Sequence, residues 1–180
     1  MRFLIVDGNP RADASFDGRL SALEGTLAAA GHEVESIRLR EKRSLRPAAP
    51  SNHHGGEADR ENFDGDPVDF MRSCLHADGV FFVSPLVGGF PPPLLETAME
   101  CLMPLVRPYV EVAEGAPRPL RYGVMPKVAL FYDCQADAEE DLRPAMKAFE
   151  RFARDAHTDF LFARPLGDPL GAMRQILEAL

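Results

Sequence analysis

The chain is 180 residues long, enough for one globular domain, and its 46% of apolar residues can form a core without a disulfide or a metal. A net charge of −8 argues against nucleic acid as a partner. Three cysteines without a Cys-x-x-Cys pair argue against a disulfide framework and a zinc site. The short apolar run at residues 3–6 argues against a signal peptide or a membrane span, so we expect a soluble, cytoplasmic protein with no membrane partner.

Five short segments predict β-strands, because they are continuously apolar or alternate between apolar and polar residues. They are residues 2–7, 33–38, 79–84, 127–132 and 159–163. The segment 79–84 is the most apolar, which predicts a place in the centre of the sheet. The alternation at 33–38 predicts a less buried place.

Helical patterns follow each of these strands. Leu20, Leu23 and Leu27 have helical spacing, and Gly31 provides a stop. Four further helices are predicted to begin at residue 66, after the prolines at 91–93, near Asp137 and at residue 168. Each of these places has a capping carboxylate or a proline suited to the first turn of a helix.

Five strands alternating with five helices predict an α/β fold with a doubly wound parallel sheet. Right-handed crossovers favour the flavodoxin-like strand order 2-1-3-4-5, with three layers. We therefore expect a single flavodoxin-like domain over residues 1–180. Two long loops, 39–65 and 104–126, are typical of functional or mobile segments.

A ligand in such a sheet binds at the carboxyl ends of the strands, where the winding reverses. Loops 8–16, 85–90 and 133–137 are predicted to meet there. The first has a glycine, the Ser15 hydroxyl and main-chain amides at a helix start, which together suit a phosphate, and Arg11 adds a cation. An ordinary loop in which Ser15 caps the helix explains the same residues.

The second and third loops are less specific. Gly88 and Gly89 allow a flat ring to approach the main chain, although glycines and prolines are also ordinary turn residues. The third loop begins with Asp133-Cys134-Gln135, which is polar but matches no catalytic pattern. Nothing beside Cys134 would stabilise a thiolate, so an inert cysteine is the better interpretation.

Two other groups of residues favour structural interpretations. His53 and His54 have no carboxylate partner in their loop, so we predict no metal site. The cations between residues 38 and 46 suit the extra phosphate of NADPH or an acidic partner, but a solvated face is the simpler interpretation.

Several motifs occur in a familiar order. They are Gly8-Asn9-Pro10-Arg11 followed by Ser15-Phe16, Ala77-Asp78-Gly79, Ser84-Pro85-Leu86 and Arg107-Pro108-Tyr109. Together they resemble the flavodoxin-like superfamily of NAD(P)H-dependent FMN reductases and quinone reductases, near its iron–sulfur flavoprotein branch. The first is similar to that family's phosphate loop, with one residue inserted.

The chain also departs from the family pattern. The family's aromatic residue in the second loop is Val87 here, and the usual lysine and arginine on the next helix are Glu96 and Cys101. The glycine-rich third loop is replaced by Asp133-Cys134-Gln135. Residues 45–50 lack the cysteine cluster of the iron–sulfur relatives, which argues against an iron–sulfur cluster.

The resemblance implies a flavoprotein oxidoreductase that binds FMN non-covalently, uses NADPH or NADH and reduces a quinone, a flavin or another small electrophilic acceptor. It also implies a homodimer. The residues it assigns to FMN are Asn9, Pro10, Arg11, Ser15 and Phe16 for the phosphate, and Pro85, Leu86, Val87, Gly88, Gly89, Asp133, Cys134 and Gln135 for the ring. No catalytic side chain is assigned, because the flavin itself accepts the hydride. The departures favour an alternative, a flavodoxin-like binding or interaction protein that has lost FMN and catalysis.

Overall fold

The computed structural model describes residues 1–42, 66–105, 111–113, 116–118, 125–133 and 142–168. Its strands are β1 (Arg2–Asp7), β2 (Glu33–Arg38), β3 (Gly79–Pro85), β4 (Glu111–Ala113), β5 (Ala116–Arg118), β6 (Lys127–Asp133) and β7 (Phe160–Pro165). Its helices are α1 (Ala14–Ala29), α2 (Asp66–Leu75), α3 (Pro93–Leu102) and α4 (Arg143–Asp155), with short 3-10 turns at Leu39–Glu41 and Met103–Leu105.

The main sheet has the order β2-β1-β3-β6-β7, and every neighbouring pair in it is parallel. This confirms the predicted doubly wound, flavodoxin-like α/β fold. The most apolar strand, β3, lies at the centre, and the alternating strand, β2, lies at one edge. A strand covered on both faces needs apolar side chains on both faces, and Val80, Phe81, Phe82 and Val83 are all buried.

Two clusters of buried side chains cover the two faces of the sheet. One contains Leu95, Leu102 and Phe149 from α3 and α4, and the other contains Leu20, Leu23 and Leu27 from α1. The predicted inner face of α1 is therefore confirmed. Gly31 follows α1 with a φ of +83°, the left-handed conformation in which a glycine commonly ends a helix. The apolar spacing of Val68, Met71 and Leu75 predicts the inner face of α2, but its fully buried side chains are Phe70 and Cys74, and Met71 and Leu75 are partly buried against the same core.

Two long connections differ from the sequence prediction. The segment 104–126 contains the antiparallel hairpin β4–β5, so it is not loop throughout. The segment 39–65 opens with the 3-10 turn Leu39–Glu41. The predicted cap at Asp137 and the predicted helix after residue 168 lie outside the described residues. No helix within the described ranges is both long and apolar enough to cross a bilayer.

Candidate functional site

The three loops predicted to meet do start side by side, at the carboxyl ends of the strands. Pro85 at the end of β3 pairs in register with Asp133 at the end of β6, and the Leu86 N–H donates to the Asp133 carbonyl at 2.9 Å. On the other side, the Gly8 N–H donates to the Val83 carbonyl at 2.8 Å. The ends of β1, β3 and β6 are thus neighbours at the point where the winding reverses, where this fold binds ligands.

The helix after the first loop is capped by Asp13, not by Ser15. The Asp13 carboxylate accepts the Ser15 N–H at 2.8 Å and the Phe16 N–H at 3.2 Å. Asp13 has the extended main chain of an N-cap residue, with φ −137° and ψ 111°, whereas Ser15 is already the second residue of α1. The hydroxyl of Ser15 is therefore not needed to satisfy the helix.

Asn9 shapes the loop before the cap. Its buried side chain accepts the Arg11 N–H at 3.1 Å, and its own N–H donates to the Asp7 carboxylate at 2.8 Å. These short-range bonds hold the loop in a turn. They also use the main-chain N–H groups of Asn9 and Arg11, which were among those predicted to bind a phosphate.

Three consecutive amides in the first loop remain available. Within the described part of the chain, no acceptor bonds the N–H groups of Ala12, Asp13 or Ala14. Residues 10–15 are exposed, including Pro10 and Arg11. Free amides at the positive end of a helix suit an anion, although the Asp13 carboxylate is a like charge beside it.

Gly8 has a packing role in addition to its predicted place in the phosphate loop. A Cβ on this residue would lie 2.9 Å from Leu95 Cδ1 of α3. The absence of a side chain therefore lets α3 pack directly against the start of the first loop.

Phe16 belongs to the core. Its side chain is 1% exposed and packs in the same cluster as Leu20 and Phe81. Its main-chain N–H already donates to Asp13. Its assignment to a cofactor stays a prediction, and the structure gives it a clear role in anchoring α1 to the sheet.

Arg19 connects the first loop to the third, and the sequence analysis missed it. Its Nη1 donates to Ser15 Oγ at 2.9 Å, and its Nη2 forms an ion pair with Asp133 Oδ2. Ser15 and Arg19 are four residues apart on α1 and therefore share a face. That spacing was readable in the sequence, but the contact with Asp133 was not.

A second ion cluster lies below the first loop. Arg40 donates to the carboxylate of Asp7 at 2.6 Å and pairs with Asp17 at 3.2 Å. Asp7 is fully buried, and this burial raises the pKa of its carboxyl above the ordinary value, although the bonds from Asn9 and Arg40 act in the opposite direction. Arg40 and Arg38, which pairs with Glu41, are therefore engaged within the chain. This reduces their availability for the extra phosphate of NADPH.

The second loop is a tight turn with apolar side chains beside it. Val87 and Phe90 exchange main-chain hydrogen bonds of 3.0 and 3.2 Å across Gly88 and Gly89, which have φ values of +58° and +79°. Glycine adopts such values without strain, because it has no Cβ, and a Gly-Gly pair is one of the sequences preferred in a two-residue turn of this kind. Val87 and Phe90 are 72% and 58% exposed, whereas Leu86 is buried, so the turn presents an apolar surface to solvent.

The remaining predicted site residues are placed only in part. Asp133 is half-buried at the end of β6, while Cys134 and Gln135 lie outside the described residues. His53 and His54 lie outside them as well. Across the ranges that the structure covers, no three His, Cys, Asp or Glu side chains are grouped to hold a metal.

A comparison with family profiles decides the family. The profile of the NADPH-dependent FMN reductases matches residues 1–146, about four-fifths of the chain. The chain belongs to this family. No curated protein matches it significantly.

Solved structures of similar shape agree with the NADPH-dependent FMN reductase fold. They include azoreductase AzrA, with a TM-score of 0.60 and 16% identity over 99% of this chain and 94% of that one. An FMN-dependent NADH-azoreductase from Bacillus anthracis, solved in complex with FMN, has a TM-score of 0.60 and 12% identity over 99% and 95% of the two chains. A putative quinone reductase from Klebsiella pneumoniae has a TM-score of 0.64 and 17% identity over 99% and 80%.

Proposed function

We propose that the protein is an FMN-dependent NAD(P)H oxidoreductase that reduces a quinone, a flavin or another small electrophilic acceptor. The chain belongs to the NADPH-dependent FMN reductase family, and the observation that carries the proposal is the set of free main-chain amides in its first loop. Its amides at Ala12, Asp13 and Ala14 have no acceptor among the described residues, and they lie at the ligand-binding edge of the sheet.

The residues of this loop fit the phosphate of FMN. The three amides and the Ser15 hydroxyl are donors, and the exposed Arg11 adds a positive charge. Asn9 contributes indirectly, because its hydrogen bonds fix the turn that precedes these donors. Pro10 limits the main-chain freedom of the same turn.

The second loop fits the flavin ring. Its turn at Gly88 and Gly89 leaves the main chain uncovered by side chains, and the exposed Val87 provides apolar surface next to it, beside the buried Leu86. The main chain of Asp133 lies beside Leu86 and supplies a polar edge, while its carboxylate is paired with Arg19. Cys134 and Gln135 complete the proposed ring site on the third loop.

FMN held there would supply transfer of a hydride from the nicotinamide coenzyme to the acceptor, with any second proton that the reduced acceptor needs coming from solvent. The chain's own residues have the tasks of binding and orientation. The first loop holds the phosphate end, while the apolar turn at residues 86–90 positions the ring and keeps water from one side of it. Hydride transfer itself requires no general acid or base from the protein.

A homodimer is part of the proposal. Val87 and Phe90 are large apolar side chains exposed beside the proposed ring site, and a second subunit would cover them.

One observation favours the alternative of a binding protein without FMN. The Asp13 carboxylate already occupies two amides at the start of α1, and it places a negative charge where the phosphate would lie. The two functions predict different behaviour towards free flavin.

A flavin titration separates them. Purified protein is mixed with FMN and separated from free ligand, and its absorbance is recorded at about 450 nm, where bound flavin absorbs. We expect about one FMN per chain and oxidation of NADH or NADPH when menadione is added. Colourless protein that takes up no added FMN supports the binding protein instead.

A further inference from the structure

The side chain of Arg19 lies between the two ends of the proposed flavin site. It donates to Ser15 in the phosphate loop at 2.9 Å, and it pairs with Asp133 at the end of β6. Asp133 is fixed in the sheet, since its carbonyl accepts the Leu86 N–H at 2.9 Å. Arg19 therefore lies within reach of a phosphate bound at Ser15, but a carboxylate of the protein already holds it.

The local charge balance makes this cation important. The charged side chains around the first loop are those of Asp7, Asp13, Asp17, Asp133, Arg11, Arg19 and Arg40. Arg40 is 15% exposed and is bound to two of the carboxylates, so it is not free to turn towards a ligand. Among the residues that the structure describes, only Arg11 and Arg19 are left to balance a phosphate next to the Asp13 carboxylate.

The present bonds of Arg19 leave part of its donor capacity unused. A guanidinium has five N–H donors, and Arg19 uses Nη1 and Nη2 for one contact each. Its Nε is buried and has no acceptor within the described part of the chain. A phosphate has three terminal oxygens and would accept several of these donors at once.

We propose that Arg19 is a further phosphate-binding residue, which exchanges the Asp133 carboxylate for the phosphate of FMN when the flavin binds. This inference rests on the proposed function. It assigns opposite roles to the two partners. Arg19 strengthens binding of the phosphate, whereas Asp133 weakens it by competing for the same guanidinium.

The experiment measures the dissociation constants of FMN and riboflavin by quenching of flavin fluorescence. The variants are Arg19→Met, Arg19→Lys, Asp133→Asn and the double variant Arg19→Met/Asp133→Asn. Arg151→Met is the matched control, since it removes a guanidinium from an exposed ion pair with Asp155 on α4. Circular dichroism checks that each variant is folded.

The two single variants should change FMN affinity in opposite directions. Arg19→Met should weaken FMN binding about tenfold, as expected for loss of charge-assisted hydrogen bonds, and leave riboflavin binding unchanged. Arg19→Lys should keep part of the affinity, because a lysine retains the charge but not the planar fork. Asp133→Asn should strengthen FMN binding about two- to fivefold, the size expected for removing a half-exposed competing ion pair. In the Arg19→Met background, Asp133→Asn should change the logarithm of the FMN dissociation constant by at most half as much as it does in the wild type.

Three results would overturn the role of Arg19, and a fourth would reject the proposed function. Equal effects of Arg19→Met on FMN and riboflavin would mean that Arg19 does not contact the phosphate. Weaker FMN binding in Asp133→Asn would mean that the carboxylate supports the flavin rather than competing with it. A wild-type protein that binds neither flavin would reject the proposed function itself, whereas wild-type FMN binding with no effect of Arg19→Met would reject only the role of Arg19.

Discussion

Gly8 at the end of the first strand lies directly against Leu95 of α3. A Cβ built on Gly8 would be 2.9 Å from Leu95 Cδ1 and 3.1 Å from Leu95 Cβ, and Leu95 is fully buried. Neither residue can move away easily, because the Gly8 N–H donates to the Val83 carbonyl of the central strand and Leu95 is packed in the core. This contact holds α3 against the loop that precedes the proposed phosphate site.

Gly8→Ala should therefore destabilise the protein. Overpacking a buried contact costs about 1–3 kcal/mol in the free energy of unfolding, measured by urea denaturation. Gly25→Ala is the control, since Gly25 lies in the middle of α1 with nothing within 4 Å of its Cβ position. This control should stabilise the protein by about 0.5–1 kcal/mol. Equal stability of Gly8→Ala and the wild type would show that the α3 packing tolerates a methyl group.

Ser15→Ala should weaken FMN binding by about 1–2 kcal/mol, because the hydroxyl is a donor to a charged phosphate. Ser15 does not cap α1, so the helix should keep its stability. Ser21→Ala, at an exposed position on the same helix, is the control and should leave the affinity unchanged. An FMN affinity of Ser15→Ala equal to that of the wild type would remove Ser15 from the site.

Asp7 should give a distinctive pH dependence of stability. Burial raises the pKa of Asp7, so the folded protein holds this proton more tightly than the unfolded chain does. Its contribution to stability is present below the ordinary pKa of 3.8 and is lost as the pH rises through the raised value. Asp7→Asn lacks this loss. The free energy of unfolding of the Asp7→Asn variant should therefore rise relative to that of the wild type as the pH increases from about 4 to about 7.

Glu35→Gln is the control for this pH experiment. Burial alone would raise the pKa of Glu35, but hydrogen bonds from Ser73 and Arg2 lower it below the ordinary value of 4.5. Its contribution is present above that value and is lost as the pH falls. As the pH rises towards 4.5, the stability of Glu35→Gln should therefore fall relative to the wild type, and at higher pH the difference should stay constant. A change of the same sign for both variants would contradict the assignment of Asp7.

Two of the three cysteines should be unreactive in the folded protein. Burial raises the pKa of Cys101 to about 11 and that of Cys74 well above its usual range. Both side chains have almost no exposed surface, so a thiol reagent has neither a thiolate nor access. A colorimetric thiol assay at about pH 8 should find at most one reactive thiol per native chain and three after denaturation. Three fast-reacting thiols before denaturation would be incompatible with this packing.

The fold was predictable because its strands are simple patterns. The apolar run of β3 and the alternation of β2 follow directly from burial on two faces or one. The edge strand β7 was predicted one to two residues early, because its side chains are only partly buried and give a weak pattern. The hairpin β4–β5 was missed, since strands of three residues are too short to show an alternation.

The candidate site was predictable in its location but not in its bonding. The sequence suggested Ser15 as the cap of the helix, whereas the structure has Asp13, an equally suitable cap residue two positions earlier. The ion pair of Arg19 with Asp133 joins residues 114 positions apart, and no local pattern reports such a contact. The packing role of Gly8 likewise depends on a helix that the chain forms much later.

The most direct test of the phosphate site removes one main-chain amide without disturbing the fold. Ala14 is the first residue of α1, where proline is well tolerated, and the extended conformation of Asp13 before it is the one that proline prefers. We predict that Ala14→Pro keeps the thermal midpoint of the wild type, binds riboflavin equally well and binds FMN about tenfold more weakly, the effect of losing a hydrogen bond to a charged group. Unchanged FMN affinity in a folded Ala14→Pro protein would contradict a phosphate bound by the amides at the start of α1.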